Sequence, residues 1–283
     1  MRGMTFGHRL ATARPDSGGL IVFALGQAGY ALRGERTLVL LDPWLSTALE
    51  EEEGITRAVP PALRPHEVEA ADVVCITHEH ADHFDPRTVA AIAERVPGAR
   101  FVVPAPAVAL LAEAGVAGER VLAARAGEAV AAGDVRVTGV AAAHELHPDA
   151  FGGYRFWLDD RGDHRALGLL VELEGHRVFH AGDTIWWPGL EGKLRALAPE
   201  LAVLPINGRD AMREARGLWG NLSAGEAAAL AGAAGISSVV PCHFDGVEGN
   251  LGDPDAFVAA LAQRDPEIRA HVLHPGEELH LPE

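Results

Sequence analysis

The sequence predicts an α/β fold built in layers, and two features carry that expectation. Short apolar runs of strand length alternate with segments that begin on helix-capping residues, in both halves of the chain. Several of these runs end on a histidine or an aspartate, at the strand ends where α/β folds usually build sites. In the first half, Leu20-Ile21-Val22-Phe23-Ala24-Leu25 is a strand. Residues 30–32 and 37–41 form a hairpin turning at Gly34-Glu35, and Asp42-Pro43 ends it. Residues 46–70 are polar and proline-bearing, which predicts a loop. Val73-Val74-Cys75-Ile76 is the next strand. Asp85 as N-cap, with Pro86 at the first helical position, opens a helix to about Val96 that Pro97-Gly98 stops. A strand at 101–103, a helix near 106–114 and strands near 120–122 and 135–140 follow. In the second half, 154–158, 168–173 and 177–180 are strands. Ser223 and Glu226 match a capping box whose helix Gly235 closes. Residues 239–241 are a strand end, and Asp253-Pro254 caps a last helix.

The two halves echo each other. Leu32, Gly34, Arg36 and Asp42 recur at a constant offset as Leu173, Gly175, Arg177 and Asp183. Gly98, Val102, Val103 and Pro104 recur at a slightly different offset as Gly235, Val239, Val240 and Pro241. Chance is the alternative in a chain rich in alanine, glycine and valine. Duplication gives two similar βα units, about 20–150 and 151–283, facing each other within one domain of residues 1–283. The site then lies on the seam between them.

Composition narrows the function. The 283 residues are 48% hydrophobic, enough for a sizeable core. A net charge of −16 argues against nucleic acid or an anionic membrane as partner and leaves a small molecule. An anionic substrate stays open, because bound metal ions invert the local field. Lys193 is the single lysine beside 23 arginines, which reads as a compositional bias. Cys75 and Cys242 each sit in an apolar run, so both are expected as buried small hydrophobes in a reducing compartment. The first 19 residues lack an apolar signal-peptide core, and no run reaches membrane-span length. A cytoplasmic protein is expected, and a homo-oligomer is compatible with this composition.

The chemistry concentrates in Thr77-His78-Glu79-His80-Ala81-Asp82-His83-Phe84-Asp85. Three imidazoles and a carboxylate within six residues make a mixed nitrogen and oxygen donor set. In an extended segment His78 and His80 point to one side and can share an ion. Asp82 and His83 follow at the turn, free to aim at a second ion. Glu79 points the other way, toward solvent or behind the ligands. The alternative is a polar surface loop, and three downstream elements argue against it. The small-residue run 137–143 leads into His144, and this run favours His144 over His147. Phe179-His180-Ala181-Gly182-Asp183-Thr184 ends a strand on Gly-Asp, where Gly182 permits close backbone approach. Val239-Val240-Pro241-Cys242-His243 ends another strand on a histidine. His180 itself reads as an ordinary strand residue, and Asp42 as structural or as a support for the free N–H of a ligand histidine.

His-x-His-x-Asp-His, then His, Gly-Asp-Thr and His, resembles the metallo-β-lactamase fold superfamily of binuclear metallohydrolases. Further residues resemble its L-ascorbate-6-phosphate lactonase-like branch. These are Gly26-Gln27-Ala28-Gly29, Leu41-Asp42-Pro43-Trp44-Leu45-Ser46, Pro205-Ile206-Asn207-Gly208-Arg209-Asp210, and Gly220-Asn221. The matches run from about residue 20 to 255. The resemblance implies a four-layer αββα sandwich with the metals at one edge between the sheets. It implies a first ion on His78, His80 and His144, a second on Asp82, His83 and His243, and Asp183 bridging both.

A hydroxide shared by two divalent ions is a nucleophile at neutral pH, because metal lowers the pKa of bound water toward about 7. Asp82 and Asp183 are the expected catalytic carboxylates, Asp82 also orienting the water or accepting its proton. Zinc suits the donor set best, and manganese or iron fits the same ligands. Asn207, Arg209 and Asp210 form a strand-end loop suited to a carboxylate or phosphate, with a structural Arg–Asp turn as alternative. Trp186 is expected either to wall the pocket or to join the core. The leading expectation is a hydrolase opening a lactone or a related ester of a small polar molecule, phosphorylated or not. A phosphodiesterase is the alternative, and a non-catalytic metal-binding scaffold a further one. Flavodiiron-type redox chemistry is disfavoured, since those relatives carry a glutamate where this chain has His80.

Overall fold

Alternation along single strands sorts side chains onto two faces, and that sets the layers. In the strand Leu20–Gly26, Leu20, Val22 and Ala24 join a cluster with Leu167, Leu169 and Val171 of a second sheet. Ile21, Phe23 and Leu25 point the opposite way, into a cluster with the helical residues Val89, Ile92 and Leu111. The second sheet repeats this. Leu169 and Val171 face the first sheet, while Leu170 packs with Leu230, Ala231 and Phe257 of two helices. The outcome is helix, sheet, sheet, helix. Strands covered on both faces explain why the sequence runs are continuously apolar. The computed structural model describes residues 5–147 and 149–283. The first four residues, part of the N-terminal stretch expected to lack a signal peptide, lie outside the described residues, as does Pro148.

The first sheet orders its strands Glu278–Leu281, Leu20–Gly26, Gly29–Arg33, Leu38–Leu41, Val73–Cys75, Arg100–Pro104 and Val121–Ala124. Pairing is antiparallel as far as Leu38–Leu41 and parallel beyond it. The second sheet runs Ala129–Ala132, Val135–Ala141, Leu167–Leu173, His176–His180, Leu201–Pro205, Ser238–Cys242 and Arg269–Ala270. It too is antiparallel as far as His176–His180 and parallel beyond. The echoed sequence positions therefore occupy equivalent strands. Asp42 and Asp183 each follow the last antiparallel strand, and Val102-Val103 and Val239-Val240 sit in the second parallel strand of each sheet.

Caps form where the sequence places them. Asp85 accepts from the amides of Arg87 and Thr88, and Ser223 and Glu226 close a capping box on the helix Ala224–Ala234. The segment 46–70 departs from the expected loop. It holds the helix Ala48–Glu53, which buries Ala48 and Leu49 and ends on Gly54 at φ 68°, and a short 3₁₀ turn, Pro65–Glu67. Its four glutamates hide a turn of helix behind a polar composition. The helices Phe6–Thr12 and Leu190–Leu197 and the strand Ala129–Ala132 are additions to the expected order. Cys75 and Cys242 are free and buried in the cluster between the sheets. Among the described residues, no helix is long and apolar enough to cross a membrane.

Candidate metal centre

The strand Val73–Cys75 delivers residues 77–85 to the edge where the two sheets meet. Asp42 fixes the start of that loop. Its Oδ1 accepts from the Thr77 amide at 2.8 Å, and its Oδ2 accepts from Thr77 Oγ1 at 2.7 Å. The same Oδ2 lies 2.7 Å from His83 Nδ1 and 2.9 Å from His180 Nε2. Asp42 is fully buried, and burial alone would raise its pKa. The His83 and His180 contacts outweigh burial and hold the carboxyl far below the usual carboxylate range. An Asp42 carboxylate on Nδ1 sets the His83 tautomer and frees Nε2 for another partner.

Three sets of donor atoms converge, each set within 4.8 Å: His78, His80 and His144; His78, His83 and Asp183; Asp82, His83 and His243. His80 Nδ1 stands 3.0 Å from His78 Nε2 and 3.2 Å from His144 Nε2. Asp183 reaches both sides. Its Oδ2 lies 3.5 Å from His144 Nε2 and 3.2 Å from His243 Nε2, and its Oδ1 lies 3.2 Å from His83 Nε2. His83 Nε2 and Asp183 Oδ1 are nevertheless both buried without a hydrogen-bond partner. Two such atoms at close range but off hydrogen-bonding line suit shared ligation of one cation. The donor set of imidazoles and carboxylates fits zinc or a neighbouring divalent ion. His144 is a member of one of the three sets, and His147 joins none of them.

Burial lowers His78 and His80, and lowers His144 to about 3, so these rings are neutral and ready to ligate. Burial also opposes charge on His243, but Asp183 and Asp82 overcome it and lift the ring to about 9. His83 is raised for the same reason, chiefly by Asp183 against burial.

The backbone is strained at the centre. Of the five non-glycine residues with positive φ among the described residues, Gln27 (55°), Asp42 (40°) and His243 (56°) stand here. Gln27 ties the sheets together. Its amide nitrogen Nε2 donates to Asp82 Oδ2 at 2.9 Å, and its backbone carbonyl accepts from the His243 amide at 3.1 Å. Gly182, at φ 56°, lets the chain pass Thr77 so closely that a Cβ there would lie 2.7 Å from the Thr77 side chain.

A cavity of about 470 Å³ opens over the donor atoms, lined by His80, Asp82, His144, Asp183 and His243 together with apolar residues, two glutamates and Asn250. None of the four residues expected to touch substrate lines it. Asn207 is buried and hydrogen-bonds Asn250 and Asn221. Arg209 makes two 2.7 Å contacts with Glu226. Asp210 caps the helix Ala211–Glu214 and pairs with Arg213, and Trp186 donates to Glu191. Other residues stand there instead. Trp219 lines the cavity, 5.3 Å from the His80 ring and 5.6 Å from that of His144, while Trp157 lies outside the lining, 5.2 Å from His80. Glu79 lines the cavity and pairs with Arg165 at 2.6 Å. His180 is buried against Asp42, and only the face of its strand, invisible in composition, separates it from an ordinary strand residue.

A family profile described as Beta-lactamase superfamily domain matches residues 37–244, the span that holds every one of these donors. The chain belongs to that superfamily. It is 29% identical over 266 residues to a UPF0173 metal-dependent hydrolase of Rubrobacter xylanophilus, covering 93% of this chain and 97% of the relative. Among solved structures, it is similar to a metallo hydrolase from the hyperthermophilic archaeon Ignicoccus hospitalis, with a TM-score of 0.66, 21% identity and coverage of 94% and 99%. It is also similar to an isothiocyanate hydrolase from Delia radicum gut bacteria, with a TM-score of 0.69, 19% identity and coverage of 93% and 100%. These two likenesses establish that the superfamily's fold is shared.

Proposed function

We propose that the chain is a metal-dependent hydrolase with a binuclear centre that opens a lactone or cleaves a related ester of a small molecule. The observation that supports this most is the off-line pair of His83 Nε2 and Asp183 Oδ1, both buried and unpartnered within three converging donor sets. His78, His80 and His144 would hold one divalent ion, Asp82, His83 and His243 the other, and Asp183 would serve both. Two such ions, when bound, would supply a water whose pKa falls toward about 7 and a Lewis acid for the electrophilic oxygen. The chain's own groups do the rest. Asp42 holds His83 in one tautomer, Gln27 holds Asp82 and positions the His243 backbone, and Asp82 stands at the cavity floor as the carboxylate to orient the water and take its proton. We assign the whole chain to one hydrolase domain acting in the cytoplasm, with zinc the preferred ion and manganese or iron fitting the same ligands.

Elemental analysis of the purified protein, paired with a lactone panel and a chromogenic phosphodiester, tests this reading. The expected result is bound divalent metal and lactone hydrolysis that chelation abolishes. Turnover of the phosphodiester alone would move the assignment to phosphorus. A metal-free preparation as active as the loaded one would sink it.

A further inference from the structure

The cavity above the donor atoms has two unlike parts. The donor residues give it a polar floor, and its wall is mainly apolar, formed by Leu49, Ile55, Leu218, Trp219 and Val247 with Asn250 as the uncharged polar side chain among them. The wall is fixed from behind, since Leu49 and Val247 are buried in a cluster with Trp44, against which Ile55 packs. Trp219 is braced by Trp157, whose ring is 5.4 Å away. Among the described residues, no lysine or arginine lines this cavity. Two nearby cations have other partners: Arg165 pairs with Glu79 at 2.6 Å, and Arg57 pairs with Glu50 at 2.8 Å while lying 3.4 Å over the Trp44 ring. Arg216 lies outside the lining, in an adjoining groove that shares Ile55, Leu218 and Val247 with the cavity. The two charged side chains beyond the floor, Glu53 and Glu79, are both acidic.

A phosphate or carboxylate carried away from the reacting bond would lose water against this wall, find no lysine or arginine in the lining, and stand beside Glu53 and the Arg165-paired Glu79. An alkyl or aryl group would instead remove apolar surface from water. We propose that the centre selects a substrate uncharged away from its scissile bond, with an apolar group seated against Leu49, Ile55, Leu218, Trp219 and Val247. This names the substrate class for the hydrolase reading and rests on it. It narrows the expected small polar molecule, phosphorylated or not, to a neutral, partly apolar ester or lactone.

The test uses the zinc-loaded full chain and γ-lactams, ring analogues that resist cleavage, bearing 5-alkyl chains of rising length. Calorimetric titration should give affinity rising about threefold to fourfold per methylene until the wall is covered. It should change little between low and high salt. A carboxylate at the chain end should weaken binding at least tenfold. Trp219→Ala should flatten the chain-length dependence and Trp219→Phe should keep most of it, both with the parent's metal content. A carboxylated lactam that binds as tightly as its neutral partner, affinity independent of chain length, or no binding at all overturns the proposal. Because nothing is turned over, these outcomes are separate from the hydrolysis screen. An inert lactone panel with chain-length-dependent lactam binding would remove the hydrolase reading alone.

Discussion

Asp42 and Asp183 close on opposite nitrogens of one imidazole. Asp42 Oδ2 lies 2.7 Å from His83 Nδ1, and Asp183 Oδ1 lies 3.2 Å from His83 Nε2. The two aspartates follow equivalent strands of the two sheets, so one fold position supplies a support in the first half and a ligand-type group in the second. Asp42→Asn keeps the shape and removes the charge that His83, His180 and Thr77 share. Metal affinity should fall about 10–100-fold, as for other supports of a ligand histidine, read by competition with a chelator. An unchanged affinity would take Asp42 out of this role.

Asp183 reaches His144 on one side and His83 and His243 on the other, so its loss should cost more than the loss of a support. Asp183→Ala should lower metal stoichiometry and reduce kcat/KM by about 10²–10³-fold, the equivalent of several kcal/mol of transition-state stabilisation. Elemental analysis and steady-state kinetics on one preparation read both. A variant with full metal content and full activity would contradict the assignment.

The raised His243 fixes a pH dependence with a definite sign. Its pKa rises from an ordinary value near 6.5 to about 9 in the folded chain. A group raised on folding stabilises the fold fully below its unfolded pKa and loses that contribution as pH climbs to its folded pKa. Chelator-treated protein should therefore lose thermal stability between about pH 6.5 and 9. Metal needs the neutral ring, so metal affinity should rise across the same window, with protons released on binding. Melting curves with and without metal, and titrations in buffers of different ionisation enthalpy, measure the two trends. A chelated protein that gains stability toward pH 9 would reverse the sign.

Gly182 joins an unusual φ to a crowded neighbour. A Cβ there meets the Thr77 side chain at 2.7 Å, with φ at 56°. Gly182→Ala should destabilise by at least about 1–2 kcal/mol from the left-handed backbone alone. It should also weaken metal binding, because relief of the clash moves Asp183. Denaturant melts and metal titration should shift together.

Arg209 supports the helix Ala224–Ala234 through Glu226 and the Asn221 carbonyl. Arg209→Ala is expected to lower the melting temperature and leave KM within about twofold, since ordinary structural substitutions cost about 0.5–3 kcal/mol. A rise in KM with an unchanged melt would restore Arg209 as a substrate contact.

The ligand-type residues were legible because each sits either in one dense loop or at the end of an apolar run, and local pattern encodes both. The layer order was legible for the same reason, through strand length and caps such as Asp85 and Ser223. What composition hid depends on contacts across the fold. His180 and Asp42 matter because they meet, and no spacing along the chain says so. Trp157 and Trp219 belong to segments without a chemical signature, yet they come to within 5.4 Å of each other beside His80. Arg209 looked available for a ligand because its partner, Glu226, is 17 positions away. The helix Ala48–Glu53 escaped notice because only Ala48 and Leu49 of its six residues are buried.

Donors on loops from both sheets converge on the same few ångströms, His83 from the first and Asp183 and His243 from the second. Bound ions would then act as a cross-link between the two halves of the molecule. Ligand bound only by the native state adds RT ln(1 + [L]/Kd) to its stability, about 2.7 kcal/mol at a hundredfold excess over Kd. The lifetime of the chain would follow metal supply: starvation would loosen the seam, expose the apolar layer between the sheets, and mark the protein for proteolysis before any substrate is missed.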